Sequence, residues 1–595
     1  MRGERMRILI VHAEDRPDRG SWAAEKWDRV IDLGVSGEQA YERWSKAMSV
    51  PVVPVRSLGL DDGEFKATAD FLRAGGDRLR DKENLDWWAL TAILFYEKAA
   101  QARIFGRLVE SMRSSDVVAI TRPGFQADVL RCLIGSRVTC FAGPTASKWR
   151  RRFGIASKFS LAQIGEIFWD KYDASYRARG SFHGFRRPNR KPLVLLPSAY
   201  INASRTAVAY AEIDPSIDYL LVATRRSGWQ VTVSRNVAVA KLASYARWKP
   251  EIGEEYRDLV ERWSKVRREL EQVPEIVILA RLGSLDSFPT FIRKGLAVRE
   301  AWRTVFEREP IQSVLCADDS NPYTTIPLQL ARNRGLPAIA AHHGALDGRQ
   351  LFKPKLFDVV LAKGRMEEDY LANVCGIEHS RIEVGAPLDR LPRALAPEES
   401  ARDARSIVFF SEGFEVAGAR AEDIYRDVVP GVAQLAANTG RELIIKLHPF
   451  ESRREREKFV ARVLSPALRR VTRVVSGGLT TALICDIWFG ITILSTAATE
   501  CALAGVPCFL CGWLNYSPWG YVRQFSKFGV GRVLHSPAEI ADVPAMLENY
   551  SRDERVKESL CQQITAERLQ KLLARGQAVE ELVQDVEMQS SCEMA

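Results

Sequence analysis

The chain is 595 residues long, with 46% hydrophobic and 27% charged residues, which is the composition of a globular protein with more than one core. Lys and Arg number 85 against 75 Asp and Glu, a net charge of +10. This charge is spread along the chain, which suits anionic substrates or an acidic membrane surface and does not indicate nucleic acid. Ten scattered cysteines and the lack of a secretory leader predict a reducing, cytoplasmic setting.

Apolar strand-like runs alternate with amphipathic helical stretches along nearly the whole chain, a pattern typical of α/β domains with parallel sheets. In the first half, strands are predicted at 7–13, 116–122, 138–143, 193–198, 219–225, 313–318, 338–343 and 358–364. A stretch near 230–272 that is rich in Trp, Lys, Arg and Glu predicts a helical insertion or outer layer.

The segment 391–400 is rich in proline and polar residues and predicts a linker. Beyond it, strands are predicted at 406–413, 442–449, 473–477, 487–494 and 506–512. We therefore expect a Rossmann-like domain over 1–390, a second one over 401–551 and a helical tail over 552–595. The most apolar region, 480–513, is interrupted by Asp486, Glu500 and Pro507, so it is expected to be soluble core rather than a membrane span.

A histidine ends one of the predicted buried strands, in the segment RELIIKLHPFE. Pro449 restricts His448 to extended geometry and cannot continue a strand ladder, so the strand stops there. In open α/β sheets the carboxyl ends of the strands are where ligands are held. His448 is therefore a candidate binding residue, and the neighbouring cation Lys446 would favour an anionic ligand.

The segment ILSTAATECALAGVPCFL, which begins at residue 493, predicts a strand followed by an alanine-rich helix that ends at Gly505. Ser495 or Thr496 would cap this helix, and its free amides and positive dipole end form a natural seat for phosphate. Capping alone is the simpler interpretation of the two hydroxyls. Glu500, one turn further on, is either a ribose-binding acceptor or an exposed side chain.

The HP strand end, followed about one βαβ unit later by a Ser/Thr segment, resembles the nucleotide-binding half of bacterial surface-polysaccharide transferases of GT-B architecture. This group includes sialyl- and polysialyltransferases, capsule Kdo transferases and CDP-glycerol polymerases. The resemblance implies that His448, Ser495 and Thr496 contact the phosphate of a nucleotide. Sialyltransferases of the group also carry an acid-acid-glycine motif, and the matching place is Ser411-Glu412-Gly413. Serine stands where the first acid would be, which argues against a general base at this loop.

A second partial match is PAIAAHHGALDGR, at 337–349, which resembles the histidine-glycine loop of the polyol-phosphate polymerases. One of His342 and His343 would remove a proton from an acceptor hydroxyl near neutral pH, or else bond only to backbone. Glu14 and Asp15, after the first strand, are reserve candidates for the base.

The segment at 316–335 reads CADDSNPYTTIPLQLARNRG. Its Asp319 would orient the base or bind the acceptor, or simply begin a helix together with its neighbours.

We therefore expect an α/β, GT-B-like enzyme of two facing Rossmann-type doubly wound domains, with a helical insertion and C-terminal helices. The resemblance implies transfer of Kdo or a nonulosonate from a CMP-activated donor to a bacterial capsule or other surface polysaccharide, with no metal and no cofactor. Its partners would be the nucleotide-sugar donor, a glycan or glycolipid acceptor and, at the cytoplasmic face of the inner membrane, capsule-assembly proteins. The rivals are a CDP-polyol phosphotransferase, a UDP-sugar 2-epimerase and a non-catalytic scaffold.

Overall fold

Three parallel sheets organise the chain in the computed structural model. The structure describes residues 5–17, 20–34, 37–55, 78–141, 192–246, 251–272, 274–317, 321–351, 353–387, 404–414, 419–449, 451–514, 519–548 and 554–574. The predicted linker at 391–400 lies outside the described residues.

The first sheet has five strands in the order β3-β2-β1-β4-β5, all parallel. Its strands are β1 Arg7–Val11, β2 Arg29–Asp32, β3 Val52–Pro54, β4 Val117–Ile120 and β5 Val138–Cys140. The helices of this region are α1 Glu38–Met48, α2 Trp87–Glu110 and α3 Phe125–Ile134. The strand order reverses between β1 and β4, which is the switch point where a doubly wound sheet holds ligands.

The middle sheet has seven parallel strands in the order β12-β11-β10-β9-β6-β7-β8. Its strands are β6 Leu193–Ser198, β7 Asp218–Ala223, β8 Val237–Lys241, β9 Ile311–Cys316, β10 Ala338–Ala341, β11 Val359–Ala362 and β12 Ile382–Val384. Its helices are α4 Ile201–Ala211, α5 Arg226–Trp229, α6 Glu251–Leu270, α7 Pro274–Arg281, α8 Phe288–Arg308, α9 Pro322–Arg332 and α10 Arg365–Asn373. The predicted helical insertion near 230–272 therefore contributes a strand, β8, before its long helix α6.

The third sheet has six parallel strands in the order β15-β14-β13-β16-β17-β18. Its strands are β13 Ser406–Phe410, β14 Glu442–Lys446, β15 Thr472–Val475, β16 Ile487–Thr492, β17 Cys508–Cys511 and β18 Arg532–Leu534. Its helices are α11 Ala421–Asn438, α12 Arg453–Val463, α13 Pro466–Arg470, α14 Thr481–Cys485, α15 Ala497–Ala504, α16 Tyr521–Lys527, α17 Val543–Glu548 and α18 Glu554–Leu560. Every residue of β13 is buried, as expected of a strand covered by helices on both faces.

The doubly wound parallel α/β class is confirmed, since all three sheets share the strand order 3-2-1-4-5 in their own chain numbering. The domain layout differs from the expected one. The region 1–390 supplies two sheets rather than one, and they fall in different compact units. One unit comprises Met1–Ala67, Lys98–Ala146 and Arg390–Leu560; the other comprises Thr68–Glu97, Ser147–Asp389 and Cys561–Ala595. The first sheet therefore belongs to the same unit as the third, and its helix α1 contacts α11.

The C-terminal tail divides at residue 560. Helix α18 contacts α15 of the third sheet, whereas the residues after it belong to the middle-sheet unit. There Gln562 O accepts a hydrogen bond from the amide of Ala386, and a last helix, 566–574, places Leu569 in the core. A Cβ at Gly385 would lie 2.8 Å from Ile564, so this glycine permits the close approach of the returning chain.

The apolar region 480–513 forms β16, α15 and β17 inside the third-sheet unit. In the part of the chain that the structure describes, no helix is both long and apolar enough to cross a bilayer. Trp22, Trp44, Trp87 and Trp88 are at most 5% exposed, so these four rings pack in cores rather than present a face for sugar stacking.

Candidate functional site: the carboxyl edge of the third sheet

Three neighbouring strands of the third sheet end at one edge with the residues of both sequence motifs. Because β13 pairs in parallel with β14 on one side and β16 on the other, their carboxyl ends point the same way. His448 follows β14, Glu412 follows β13, and Ser495 follows β16. The switch point of this sheet lies between β13 and β16, so the edge is where such a fold holds a ligand.

His448 is fixed at this edge through its backbone. Its amide donates to Oε2 of Glu451 over 2.7 Å, and the residue is half-buried. Burial, followed by the charge of Lys446, lowers the pKa of His448 from its ordinary value. The imidazole is therefore neutral at pH 7 and has one N–H to donate. Pro449 is exposed, and its contribution is to the geometry of the turn.

Glu451 joins three elements around His448, a role that sequence reasoning missed. Its Oε1 accepts from the Ser411 hydroxyl and from Nε of Arg456, each over 2.7 Å. The Ser411 hydroxyl also lies 2.9 Å from that of Tyr425 in α11. Burial raises the pKa of Glu451, although these hydrogen bonds oppose the shift. An acid three residues after the histidine of HP is the signal that could have marked it, because such a side chain can reach back to the His448 amide.

Lys446 is buried, with 7% exposure, and its ammonium caps the ends of two strands. It donates to the carbonyls of Leu447, over 3.1 Å, and Gly477, over 2.5 Å. Burial lowers the pKa of Lys446, and the carboxylates of Glu500 and Glu451 partly offset that effect. The electrostatic contact with Glu500, at the start of α15, links the two sequence motifs across the edge.

Glu412 shapes the loop that follows β16. Its Oε1 accepts from the Thr492 hydroxyl over 3.0 Å and from the amides of Ile493, 3.3 Å, and Leu494, 2.8 Å. Glu412 is 7% exposed, and Gly413 beside it is half-buried. Three donors hold this carboxylate against the loop, so the side chain positions the loop.

The Ser/Thr turn leaves hydrogen-bond donors available at the edge. Ser495 Oγ accepts from the Ala497 amide over 3.3 Å, whereas the Thr496 side chain makes no capping bond. Thr496 is exposed and Ser495 half-buried. No described residue accepts a hydrogen bond from the backbone amide of either one. The positive end of the eight-residue helix α15 lies behind these amides, which is an arrangement that favours an anion.

The middle sheet, which belongs to the other unit, carries its own polar edge. His342 and His343 follow β10, and their rings lie 4.6 Å apart. The Tyr200 hydroxyl, at the end of β6, lies 2.6 Å from Nδ1 and 2.8 Å from Nε2 of His343. His342 is buried and His343 half-buried, so His343 is the better placed of the two to meet a substrate.

Asp347 organises the loop behind His342. Its Oδ2 lies 3.7 Å from Nδ1 of His342 and is also paired with Lys353. Burial alone would raise the pKa of Asp347, but the charges of Lys353, His342 and Arg349 outweigh it and hold the pKa well below its usual range. A Cβ at Gly344 would lie 2.9 Å from Nε2 of His342, so only glycine leaves room for this ring.

The other candidate acids differ in their placement. Asp15 accepts from the His12 amide over 2.8 Å, from Nε of Arg122 over 2.8 Å and from Thr121. Burial would raise the pKa of Asp15, but these hydrogen bonds outweigh it and lower the pKa, which makes the carboxylate a weak base. Glu14 is exposed at the edge of the first sheet, in a different unit from His343. Asp319 lies outside the described residues.

The described residues contain no group of three or more His, Cys, Asp or Glu side chains placed to hold a metal ion. No protein-family model matches the sequence, and no curated protein matches it.

Solved structures resemble the chain distantly. A UDP-GlcNAc 2-epimerase from Methanocaldococcus jannaschii, in complex with UDP-GlcNAc and UDP, has a TM-score of 0.37 and 12% identity and covers 66% of this chain and 99% of its own. The wall teichoic acid polymerase TagF has a TM-score of 0.35 and 12% identity over 73% of this chain and 100% of its own. MurG from Acinetobacter baumannii has a TM-score of 0.37 and 12% identity over 65% of this chain and 100% of its own. TM-scores this low establish neither fold nor activity, so the fold stated above rests on strand order and register.

Proposed function

We propose that the protein is a glycosyltransferase that takes a sugar from a cytidine-nucleotide donor, CMP-Kdo or a CMP-nonulosonate, and adds it to a bacterial surface glycan. The observation that carries the proposal is the convergence of His448, Lys446 and the Ser495-Thr496 turn on one strand edge at a topological switch point. The resemblance of the HP and Ser/Thr segments to surface-polysaccharide transferases supports the choice of donor.

The third-sheet edge is suited to a leaving phosphate. The neutral imidazole of His448 donates one N–H, and the amides of Ser495 and Thr496 donate two more from the positive end of α15. Glu412 and Glu451 hold the two loops in place, so these donors need no rearrangement when charge develops on the phosphate. Preorganised donors of this kind contribute roughly 10²- to 10³-fold each to kcat.

The acceptor would be activated by His343. In the transfer, the bond between the anomeric carbon and the phosphate oxygen breaks, and its electron pair leaves with CMP. The acceptor oxygen bonds to the anomeric carbon, and its proton passes to the imidazole of His343, whose ring is oriented by the Tyr200 hydroxyl. No net oxidation occurs, and the protein returns to its starting state when His343 releases the proton.

The test compares wild type, His448→Ala and His535→Ala, an exposed histidine in the same unit, for binding of CMP by calorimetry. Turnover is then measured with CMP-Kdo, CDP-glycerol and UDP-GlcNAc, each with a glycan acceptor. We expect wild type and the control to bind CMP and to release it from CMP-Kdo, and His448→Ala to lose at least tenfold in each measurement.

Other outcomes would contradict the proposal in distinct ways. Turnover of CDP-glycerol with phosphate transferred would make the protein a polyol phosphotransferase, and epimerisation of UDP-GlcNAc would make it an epimerase. Binding of no cytidine nucleotide would favour a scaffold. Full CMP affinity and turnover in His448→Ala would remove this histidine from the site.

A further inference from the structure

A buried arginine from the third-sheet region fills the carboxyl edge of the first sheet. Arg420, just before α11, is 5% exposed, and its Nη2 donates to Oδ1 of Asp32 over 2.6 Å. Its guanidinium stacks on Trp44 at 4.3 Å, and its Nε lies 3.2 Å from Asp423. Three backbone carbonyls that follow β1 also accept from it, those of His12, Ala13 and Asp15.

This contact occupies the place where a doubly wound sheet would bind a ligand. The three carbonyls follow β1, the strand at the switch point, and Asp32 ends the neighbouring β2. A Cβ at Gly34 would lie 2.9 Å from Nη2 of Arg420, so the edge is shaped around the guanidinium. At this part of the first sheet, the edge where a ligand would bind is therefore occupied by an arginine of the same chain.

Arg420 lies at the end of the loop that begins with the Glu412 segment. The amide of Ala419 donates to the carbonyl of Phe414 over 2.8 Å, and the amide of Phe414 to that of Glu412 over 2.7 Å. Phe414 and Ala419 are both fully buried. These bonds connect the two ends of the loop directly, independently of the residues between them.

A second connection runs through α11. Asp423, which pairs with Arg420, is in the first turn of that helix, and Tyr425 two residues later contacts the Ser411 hydroxyl. Ser411 donates to Glu451, which in turn holds the backbone of His448. Both connections lead from the first sheet to the edge where the proposed phosphate site lies.

We propose that the first sheet is a positioning module for the nucleotide site, and that Arg420 is the residue through which it acts. In this assignment Arg420 touches no substrate; it fixes the loop that carries Ser411 and Glu412. Through Glu412 it fixes the segment just before the Ser495-Thr496 turn. The identity of the ligand rests on the proposed function. The structural coupling between the first sheet and the site does not depend on which ligand binds.

The test uses Arg420→Lys, which keeps the charge but loses the planar set of donors, and Gly34→Ala, whose Cβ would meet both the Ala13 backbone, at 2.8 Å, and the guanidinium, at 2.9 Å. The control is Arg43→Ala, since Arg43 pairs with Asp423 and Asp427 at the same junction but belongs to α1 and not to the loop that ends at Arg420. Two quantities are measured: the Kd for CMP, and hydrogen exchange of the 411–414 and 493–496 amides without ligand.

We expect Arg420→Lys and Gly34→Ala to weaken CMP binding at least tenfold and to speed exchange in both segments, while Arg43→Ala changes Kd less than twofold. Unchanged exchange at 411–414 in both test variants would overturn the inference whether or not CMP binds. Equal loss in the Arg43→Ala control would also overturn it, because the effect would then be general destabilisation. If wild type fails to bind CMP but exchange responds as expected, the proposed function fails and the positioning role stands.

Discussion

Replacing Glu451 by Gln should loosen the strand end that carries His448. The wild-type carboxylate accepts hydrogen bonds from the His448 amide, Ser411 and Arg456. The glutamate and arginine side chains are 1% and 2% exposed, so solvent does not screen the pair. The glutamine keeps the shape but removes the negative charge that pairs with Arg456, and breaking a buried ion pair in this way costs about 3–5 kcal/mol.

Hydrogen exchange of the backbone amides of residues 442–463 measures this loss of stability as a rate. Since about 1.4 kcal/mol is a factor of ten, exchange through opening of this segment should accelerate by roughly 10²- to 10⁴-fold. The control is Glu457→Gln on the same helix, whose partner Arg453 is 60% exposed at the side chain. That exposed pair should contribute at most about 1 kcal/mol.

A second substitution tests the cause. In Glu451→Gln/Arg456→Met both charges of the pair are gone, so the double variant should be less destabilised than Glu451→Gln alone. Equal protection in wild type and Glu451→Gln would refute the pairing. A double variant that is destabilised by the sum of the two single effects would show that the two side chains do not interact.

Three further predictions concern the two strand edges. The lowered pKa of His448 would be raised by a bound phosphate, so CMP binding should take up a proton and tighten as the pH falls from 7 towards 5; calorimetry in two buffers of different ionisation enthalpy measures this, and no uptake at pH 6 in wild type would contradict it. Glu412→Ala should weaken CMP binding by roughly ten- to hundredfold, because it removes a charged acceptor from two backbone amides; an unchanged Kd in a folded variant would rule out its positioning role. Tyr200→Phe should lower kcat about tenfold at constant Kd for CMP, because the hydroxyl that orients His343 is lost; steady-state kinetics with an unchanged kcat would disprove it.

Most central strands were predictable, and most edge strands were not. Each of the 13 predicted strand segments overlaps an observed strand, because buried parallel strands are continuous apolar runs. Four of the five strands that were missed, β3, β8, β12 and β18, lie at sheet edges. Of these, β3, β12 and β18 are three residues long and only partly buried, so their composition resembles that of loops. The run VAVAK of β8 is largely buried, but it sits among charged and aromatic residues that favour a helical interpretation.

The residues of the candidate site that end strands were predictable from the sequence. The residues that hold those strand ends in place were not. Proline after His448 and small residues after Ser495 mark the ends of strands, and parallel strands bring their ends together. Arg420, by contrast, has the local sequence of an ordinary surface residue. Its burial comes from contacts as distant as that with Asp32, which no local pattern encodes. The same limitation explains why the first and middle sheets could not be separated along the chain.

The return of the chain after residue 560 makes the order of synthesis matter. Ile564, Leu569, Leu572 and Leu573 fill the core of the middle sheet, yet a ribosome produces them only after the whole third sheet has been made. During synthesis the middle sheet therefore has an uncovered apolar face. Burial of each of the four missing side chains would stabilise the fold by roughly 1.5–3 kcal/mol. A stop codon at position 561 would leave that face permanently open, and such a truncated product should aggregate or be degraded even though every residue of its three sheets is present.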